Sequence, residues 1–393
     1  MAPNLVDVLL VVLLILALVV GLRRGLLASL GGLVGLAAGG VAAWWLLPLL
    51  SGVLPWPEAR GILLVVAGVL LLAVGAGVGS AVGGVLRRGA DRIRLRLIDR
   101  ALGGALSVVV AALALSLVGQ TVAVAGVPVV SSALASSGVL RTIDSLTPTP
   151  VQSAMAELRS VVIADGLPRV GTLIETLPTI GAAPAVDLDD PALDAAAQSV
   201  ARVAGTAYAC GRTSTGSGFV IAEDRVVTNA HVVAGVESPV VELPGRAAAE
   251  GRVVYFDPVV DLAVIAVDGL DAASLPLGDT LSAGDAAVVQ GYPLGGPFTM
   301  GTATVRSVGV VNVPDIHDEQ TAPREIYALD ADVRPGNSGG PLLDADGDVA
   351  GIVFARADDD SGIGYAMTTA ELAPVIAQAG SLAAPVSTGA CTG

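Results

Sequence analysis

The sequence predicts two unlike bodies on one chain: an N-terminal all-α membrane domain of four transmembrane helices, then a C-terminal all-β domain built as a barrel pair or sandwich. Three observations predict this. Hydrophobic residues make up 53% and charged residues 15% of the 393-residue chain, too apolar for an ordinary soluble or disordered protein. The charge is uneven: residues 1–130 hold nine Arg against four acids, a net of +5, and residues 131–393 hold 12 Arg against 32 acids, a net of −20. The texture also changes, from long apolar runs to short β-branched runs divided by Gly, Pro and Asp.

Four apolar runs come first, at 5–22, 26–47, 61–86 and 101–127. Each approaches the roughly 20 residues that cross a bilayer as a helix. The first lacks the positive flank and small-residue cleavage site of a signal peptide, and three further runs follow it. Gly31, Gly35 and Gly39 recur every fourth residue, as do Gly75, Gly79 and Gly83, a spacing that lets membrane helices approach closely. Asp7 sits near a run end, and no run carries several ionisable groups, which argues against a pump or channel. Arg23 and Arg24 follow the first run, and Arg87, Arg88, Arg92, Arg94, Arg96 and Arg100 follow the third, whereas 48–60 holds only Arg60. Arg gathers in cytoplasmic loops. Both termini are therefore expected outside a multi-pass plasma-membrane domain, with the acidic half extracytoplasmic.

Residues 131–198 read as a connector between the membrane domain (1–130) and the β domain (199–393). Val139, Leu140, Ile143 and Leu146 have helical spacing, as do Val151, Met155, Leu158 and Val162. Pro148, Pro150, Pro168 and Pro178 cut the segment into short amphipathic pieces, and the acidic, Pro-bearing 181–191 reads as a tether. Beyond it, strands are expected at Phe219–Ala222, Arg225–Thr228, Leu262–Val267, Ala286–Gln290, Thr302–Val311 and Val349–Phe354, with a closing helix at Thr369–Ala379.

Three β-domain segments carry chemistry: T-N-A-H with His231, D-L-A-V with Asp261, and G-N-S-G-G-P with Ser338. A serine nucleophile needs a base within hydrogen-bond reach, and the base needs an orienting acid. His231 suits the base, because imidazole titrates near neutrality; the other histidine, His317, lies in a polar loop without companions. Asp257 competes with Asp261 for the acid; Asp257 precedes Pro258, which suits a turn, while Asp261 directly precedes an apolar strand. Gly336, Gly339 and Gly340 permit a tight turn that aims the Gly336 and Ser338 N–H groups at a developing oxyanion. No metal and no cofactor is expected. The acidic β domain lacks the Lys/Arg face that nucleic acid requires.

With these motifs the β half resembles the chymotrypsin-fold serine proteases, and in detail their HtrA branch. It departs from that branch because only residues 380–393 follow the closing helix, too few for a PDZ domain. The whole arrangement resembles the actinobacterial MarP family, in which a colicin V production protein-like membrane domain precedes a trypsin-like protease. The likeness includes the N-terminal L-V-D-V, R-L-I-D before the last run, G-S-G-F-V-I, G-Y-P at 291–293 and the closing T-G-A-C. The resemblance implies a chymotrypsin-like double barrel, with His231, Asp261 and Ser338 as base, orienter and nucleophile. It implies a membrane-anchored endopeptidase that meets peptide and protein substrates of the cell envelope and the lipid bilayer, a role in acid or oxidative stress, and self-cleavage. The alternatives are a catalytically silent envelope scaffold and a secretion or transport component. Two cysteines in one extracytoplasmic domain read as a disulfide, Cys210–Cys391, which the resemblance also implies. The specificity pocket is expected between Asp330–Pro335 and Val353–Ala357. Asp332, six residues before Ser338, would attract a basic side chain unless the adjacent Arg334 neutralises it.

Overall fold

The computed structural model describes residues 5–53, 60–90, 96–124, 134, 137–160, 169–170, 186–207, 212–357 and 362–392. It divides into two compact units, 1–116 and 117–393.

The first unit is helical. Its helices are α1 (Leu5–Arg24), α2 (Leu26–Val53), α3 (Arg60–Ala90) and the start of α4 (Arg96–Val124). Gly25, at φ +77°, makes the one-residue turn from α1 to α2, a conformation that costs glycine nothing. The glycines with four-residue spacing seam α2 to α3. A Cβ on Gly35 would stand 2.0 Å from the Gly75 carbonyl oxygen, and one on Gly79 would stand 2.0 Å from that of Gly31. Backbone meets backbone, as the small residues permit. Asp99 Oδ1 accepts the Leu27 N–H at 3.2 Å, placing a carboxylate at the first turn of α2. Among the described residues, Leu5–Arg24 and Leu97–Gly119 are long and apolar enough to cross a membrane, and Leu26–Ala42 and Ala73–Leu86 form shorter apolar stretches.

The second unit begins with the connector. Helices α5 (Gly138–Leu146) and α6 (Thr149–Ser160) form where the apolar spacing predicts them, and the Ser137 hydroxyl accepts the Leu140 N–H to cap α5. Val162 and the tether up to residue 185 lie outside the described residues. A helix not anticipated from the sequence, α7 (Pro191–Ala197), is capped by Asp190 and carries Pro at its start. It buries Leu193 completely.

Two seven-stranded sheets follow. The first has the order β6-β5-β2-β3-β4-β8-β7, from β2 (Val200–Ala207), β3 (Arg212–Ala222), β4 (Arg225–Thr228), β5 (Val240–Glu242), β6 (Ala249–Glu250), β7 (Arg252–Asp257) and β8 (Leu262–Ala266). A short helix, α8 (Ala230–Val233), follows β4. The second sheet runs β13-β12-β9-β10-β11-β14 and closes through β13–β14, with β1 added beside β13. Its members are β1 (Arg169–Val170), β9 (Ala286–Gly291), β10 (Thr299–Pro314), β11 (Thr321–Asp330), β12 (Pro341–Leu343), β13 (Val349–Ala357) and β14 (Ile363–Thr368). Helix α9 (Thr369–Ala379) closes the domain. All strand pairs except β1–β13 are antiparallel. Phe219, Leu262, Ile326, Leu343, Ile352 and Tyr365 join one buried cluster that takes residues from both sheets. That shared core holds the loops of the two sheets together.

Candidate active site

The first sheet supplies two of the three candidate side chains. His231 lies in α8, directly after β4, and is 6% exposed. Each residue before it has a task. The Thr228 hydroxyl donates to the Ser217 carbonyl at 2.7 Å, and Asn229 Nδ2 donates to the Asp261 carbonyl at 2.9 Å. Asp261 precedes β8 with φ +64°, a left-handed conformation that Asp tolerates better than most residues. Its carboxylate holds His231 at two points: Oδ2 lies 2.8 Å from Nδ1, and Oδ1 accepts the His231 backbone N–H at 2.9 Å. Asp257 does not compete. Its Oδ1 accepts the Val259 and Val260 N–H groups at 2.9 and 3.0 Å and shapes the loop that leads to Asp261.

The second sheet supplies the serine. Ser338 sits in the turn before β12 and is 1% exposed. Gly336 has φ +93°, and a Cβ there would meet the Tyr292 carbonyl oxygen at 2.4 Å. Gly339 has φ +82°, and a Cβ there would stand 2.2 Å from the Ser217 carbonyl oxygen. Only glycine fits either place. The Pro335 carbonyl accepts the Leu294 N–H at 2.6 Å. In a trans peptide the N–H points opposite to the C=O, so the Gly336 N–H faces away from Leu294. Among the described residues neither that N–H nor the Ser338 N–H is taken up by another group. His231 Nε2 and Ser338 Oγ are likewise buried without a hydrogen-bond partner there.

Ser217, within G-S-G-F-V-I, is a structural residue of the site that sequence reasoning missed. Its N–H donates to the Ser338 carbonyl at 2.7 Å, its hydroxyl donates to the Gly336 carbonyl at 2.7 Å, and the same hydroxyl accepts the Tyr292 N–H at 2.9 Å. One residue of the first sheet thus fastens the nucleophile turn and the 292–296 turn of the second. Its signal was its place between two glycines in a β-branched strand, where a large side chain would not fit.

The remaining expected residues divide. Asp332 is exposed and paired with Arg334 at 2.8 Å. The Arg334 guanidinium faces its carboxylate, the alternative the sequence left open for this position. His317 lies in the turn from β10 to β11, where Asp315 accepts its N–H. Cys391 packs against Gly235, and Cys210 lies outside the described residues. Among the described residues there is no group of three His, Cys, Asp or Glu that could hold a metal ion.

This arrangement has relatives. The description "Trypsin-like peptidase domain" matches residues 216–352, and "Colicin V production protein" matches residues 6–148. The chain is 37% identical to the serine protease Rv3671c of Mycobacterium tuberculosis over 311 residues, 77% of this chain and 78% of the relative. The chain belongs to the MarP family of serine proteases. The crystal structure of the active form of Rv3671c matches with a TM-score of 0.51 at 37% identity, covering 56% of this chain and 100% of that one. An HtrA-type relative, the putative serine protease HhoB of Synechocystis, is 39% identical over 160 residues, 39% of this chain and 37% of its own length. As a MarP-family member the chain is a serine endopeptidase, and its colicin V production protein region makes it a membrane protein carrying a protease domain.

Proposed function

We propose that His231, Asp261 and Ser338 form the catalytic triad, with Gly336 and Ser338 N–H as the oxyanion hole. The Ser338 hydroxyl attacks the scissile carbonyl as His231 Nε2 takes its proton. Asp261 fixes the imidazole so that Nδ1–H points to the carboxylate and Nε2 is left to act. The two N–H groups receive the oxyanion, and water then releases the acyl group by the same route. The observation that carries this reading is the two-point hold of Asp261 on His231. His231 Nε2 and Ser338 Oγ are both buried and engaged by no other group among the described residues, which leaves them available to each other once substrate binds. A fluorophosphonate probe on the full-length protein tests the roles. Ser338→Ala should lose labelling and retain the fold, and Asp261→Asn should slow it about 10⁴-fold, with Asp257→Asn mild. Labelling of Ser338→Ala would refute the assignment.

The anchor is read as four spans, with both termini and the protease domain extracytoplasmic. The Arg-rich loops after runs one and three support this. In intact protoplasts, Ala185→Cys should react with an impermeant thiol reagent and Gly89→Cys should not; the opposite pattern inverts the topology. Envelope proteins are then the substrates within reach, and a role in acid or oxidative stress follows from the family. Self-cleavage is supported by β1, since Arg169 and Val170 pair with Arg356 and Ala357 of β13. That pairing brings the connector beside the strand that walls the expected pocket. The Cys210–Cys391 bridge is part of this reading, because two cysteines then share one domain on the oxidising side of the membrane.

A further inference from the structure

Arg324 is buried where a cation is costly. It lies on β11, is 1% exposed and heads the fully buried side chains by size. Desolvating a guanidinium is expensive unless its position repays it, and among the described residues no carboxylate lies within ion-pair distance. Arg324 Nη1 instead donates to the Val260 carbonyl at 3.0 Å, and Nη2 donates to the Pro314 carbonyl. The guanidinium stacks over the Phe354 ring, 5.3 Å from its centroid. Val260 immediately precedes Asp261, so this contact runs from the second sheet to the loop of the first that carries the acid.

We propose that Arg324 is a positioning residue for proteolysis: it pins the Val260–Asp261 peptide so that Asp261 holds its left-handed conformation, and it sets a buried positive charge behind the acid that faces His231. The peptide plane before a residue limits that residue's φ, and Asp261 needs φ +64° to present both oxygens to His231. The charges that face Arg324 are Asp257 and Asp261 from the β7–β8 loop, Asp315 from the β10–β11 turn and Glu371 from α9. Burial draws the guanidinium below its ordinary value, and Asp261 is the strongest of the four carboxylates opposing that. Phe354 of β13 and Met367 of β14 complete the surroundings with apolar and sulfur atoms.

The proposal rests on the triad reading, and the test separates the two. The fluorophosphonate labelling rate of the full-length protein in detergent is followed against pH. In that step Ser338 Oγ bonds to phosphorus, fluoride leaves and the proton passes to His231, so no substrate need be known. Arg324→Gln and Arg324→Met should label ~10-fold more slowly near neutrality, the scale of a charge removed from beside a catalytic group. The acidic limb of their profiles should move to higher pH, because a base that loses a nearby cation holds its proton more tightly. Arg324→Lys keeps the charge but not the fork, so its limb should stay in place while the rate falls about threefold or more. A residue that served only packing would move stability and leave the limb unmoved in every variant. A neutral variant with an unmoved limb, or a Lys variant at the wild-type rate, overturns the proposal; the Lys variant decides alone if the neutral ones fail to fold. A slow Asp261→Asn beside unmoved Arg324 variants refutes Arg324 alone, whereas a fast Asp261→Asn removes the triad reading beneath it.

Discussion

Glycine does opposite work in the two halves of this protein. In the membrane half, Gly31, Gly35, Gly75 and Gly79 are ordinary helical residues whose value is an absent side chain, so that the backbones of α2 and α3 meet. In the protease half, Gly336 and Gly339 adopt positive φ as well as close approach, and their value is the direction in which they turn a peptide. A methyl group added to the first kind pushes helices apart. Added to the second kind, it rotates the N–H groups proposed to receive the oxyanion. The contrast shows why one half is tested by stability and the other by rate.

Among substitutions that probe this glycine contrast, the largest effect should come from Gly336→Ala. The new Cβ would clash with the Tyr292 carbonyl at φ +93°, so the Pro335–Gly336 peptide must rotate and take one oxyanion donor with it. Loss of such a donor slows acyl transfer on the order of 10²–10³-fold. Labelling and peptide hydrolysis should both show it. Full activity in Gly336→Ala would mean that this N–H does not serve the oxyanion.

The legibility of the sequence follows the same division. The candidate site was legible because T-N-A-H, D-L-A-V and G-N-S-G-G-P each combine a reactive side chain with residues that its turn requires, and the fold brings His231 and Asp261 together. β4 was read at its observed bounds, because Arg225–Thr228 lies between plain turn signals. β11 was not singled out: Thr321–Asp330 contains Pro323, Arg324 and Glu325, and no local pattern reveals that the Arg is buried between sheets. β2, β5, β7 and β14 were not singled out either, nor were the short β1, β6 and β12, since a strand's identity depends on partners far away in sequence. In the membrane half, the four-residue glycine spacing marked faces able to approach closely, because helix packing repeats locally; that the two faces meet each other is seen only in the structure. The apolar runs gave four helices, while only two of the described stretches have the length of a span.

Next in size is Ser217→Ala, which removes the hydroxyl between the Gly336 carbonyl and the Tyr292 N–H. Leaving two buried polar groups unpaired should cost about 1–3 kcal/mol, with a partial fall in labelling rate. Unchanged melting would show that the two turns hold each other without it. Gly35→Leu probes the other half. Its side chain would start 2.0 Å from the Gly75 carbonyl oxygen, whereas Gly77 has nothing within 4 Å. Gly35→Leu should destabilise the membrane helices by about 1–3 kcal/mol, the scale of overpacking, and leave labelling by the protease domain intact. Gly77→Leu should do neither; equal effects at both positions would dismiss the glycine seam.

The smallest effect contrasts two acidic turns of the protease half, Asp315 and Asp344. For Asp315, burial raises the carboxyl, but hydrogen bonds from the Glu319 and His317 N–H groups outweigh it and hold the carboxyl below its ordinary value. For Asp344, burial comes first; hydrogen bonds from the Asp348 and Asp346 N–H groups oppose it, but the charges of Asp348 and Asp346 add to burial, and the carboxyl lies above its ordinary value. The signs are therefore opposite. An acid lowered on folding contributes stability above the unfolded carboxyl range and loses it as pH falls through the folded value. An acid raised on folding costs stability at neutral pH, and that cost disappears as pH falls and the group protonates. Asp344→Asn should accordingly raise the neutral-pH melting temperature, on the order of 1 °C for a partly exposed group, with the gain vanishing below the carboxylate range. Asp315→Asn should lower it by a similar amount at neutral pH, converging with wild type in acid. Melting curves from pH 7 down to the carboxylate range check both; shifts of the same sign would show that the turn hydrogen bonds to Asp344 outweigh its burial as they do at Asp315.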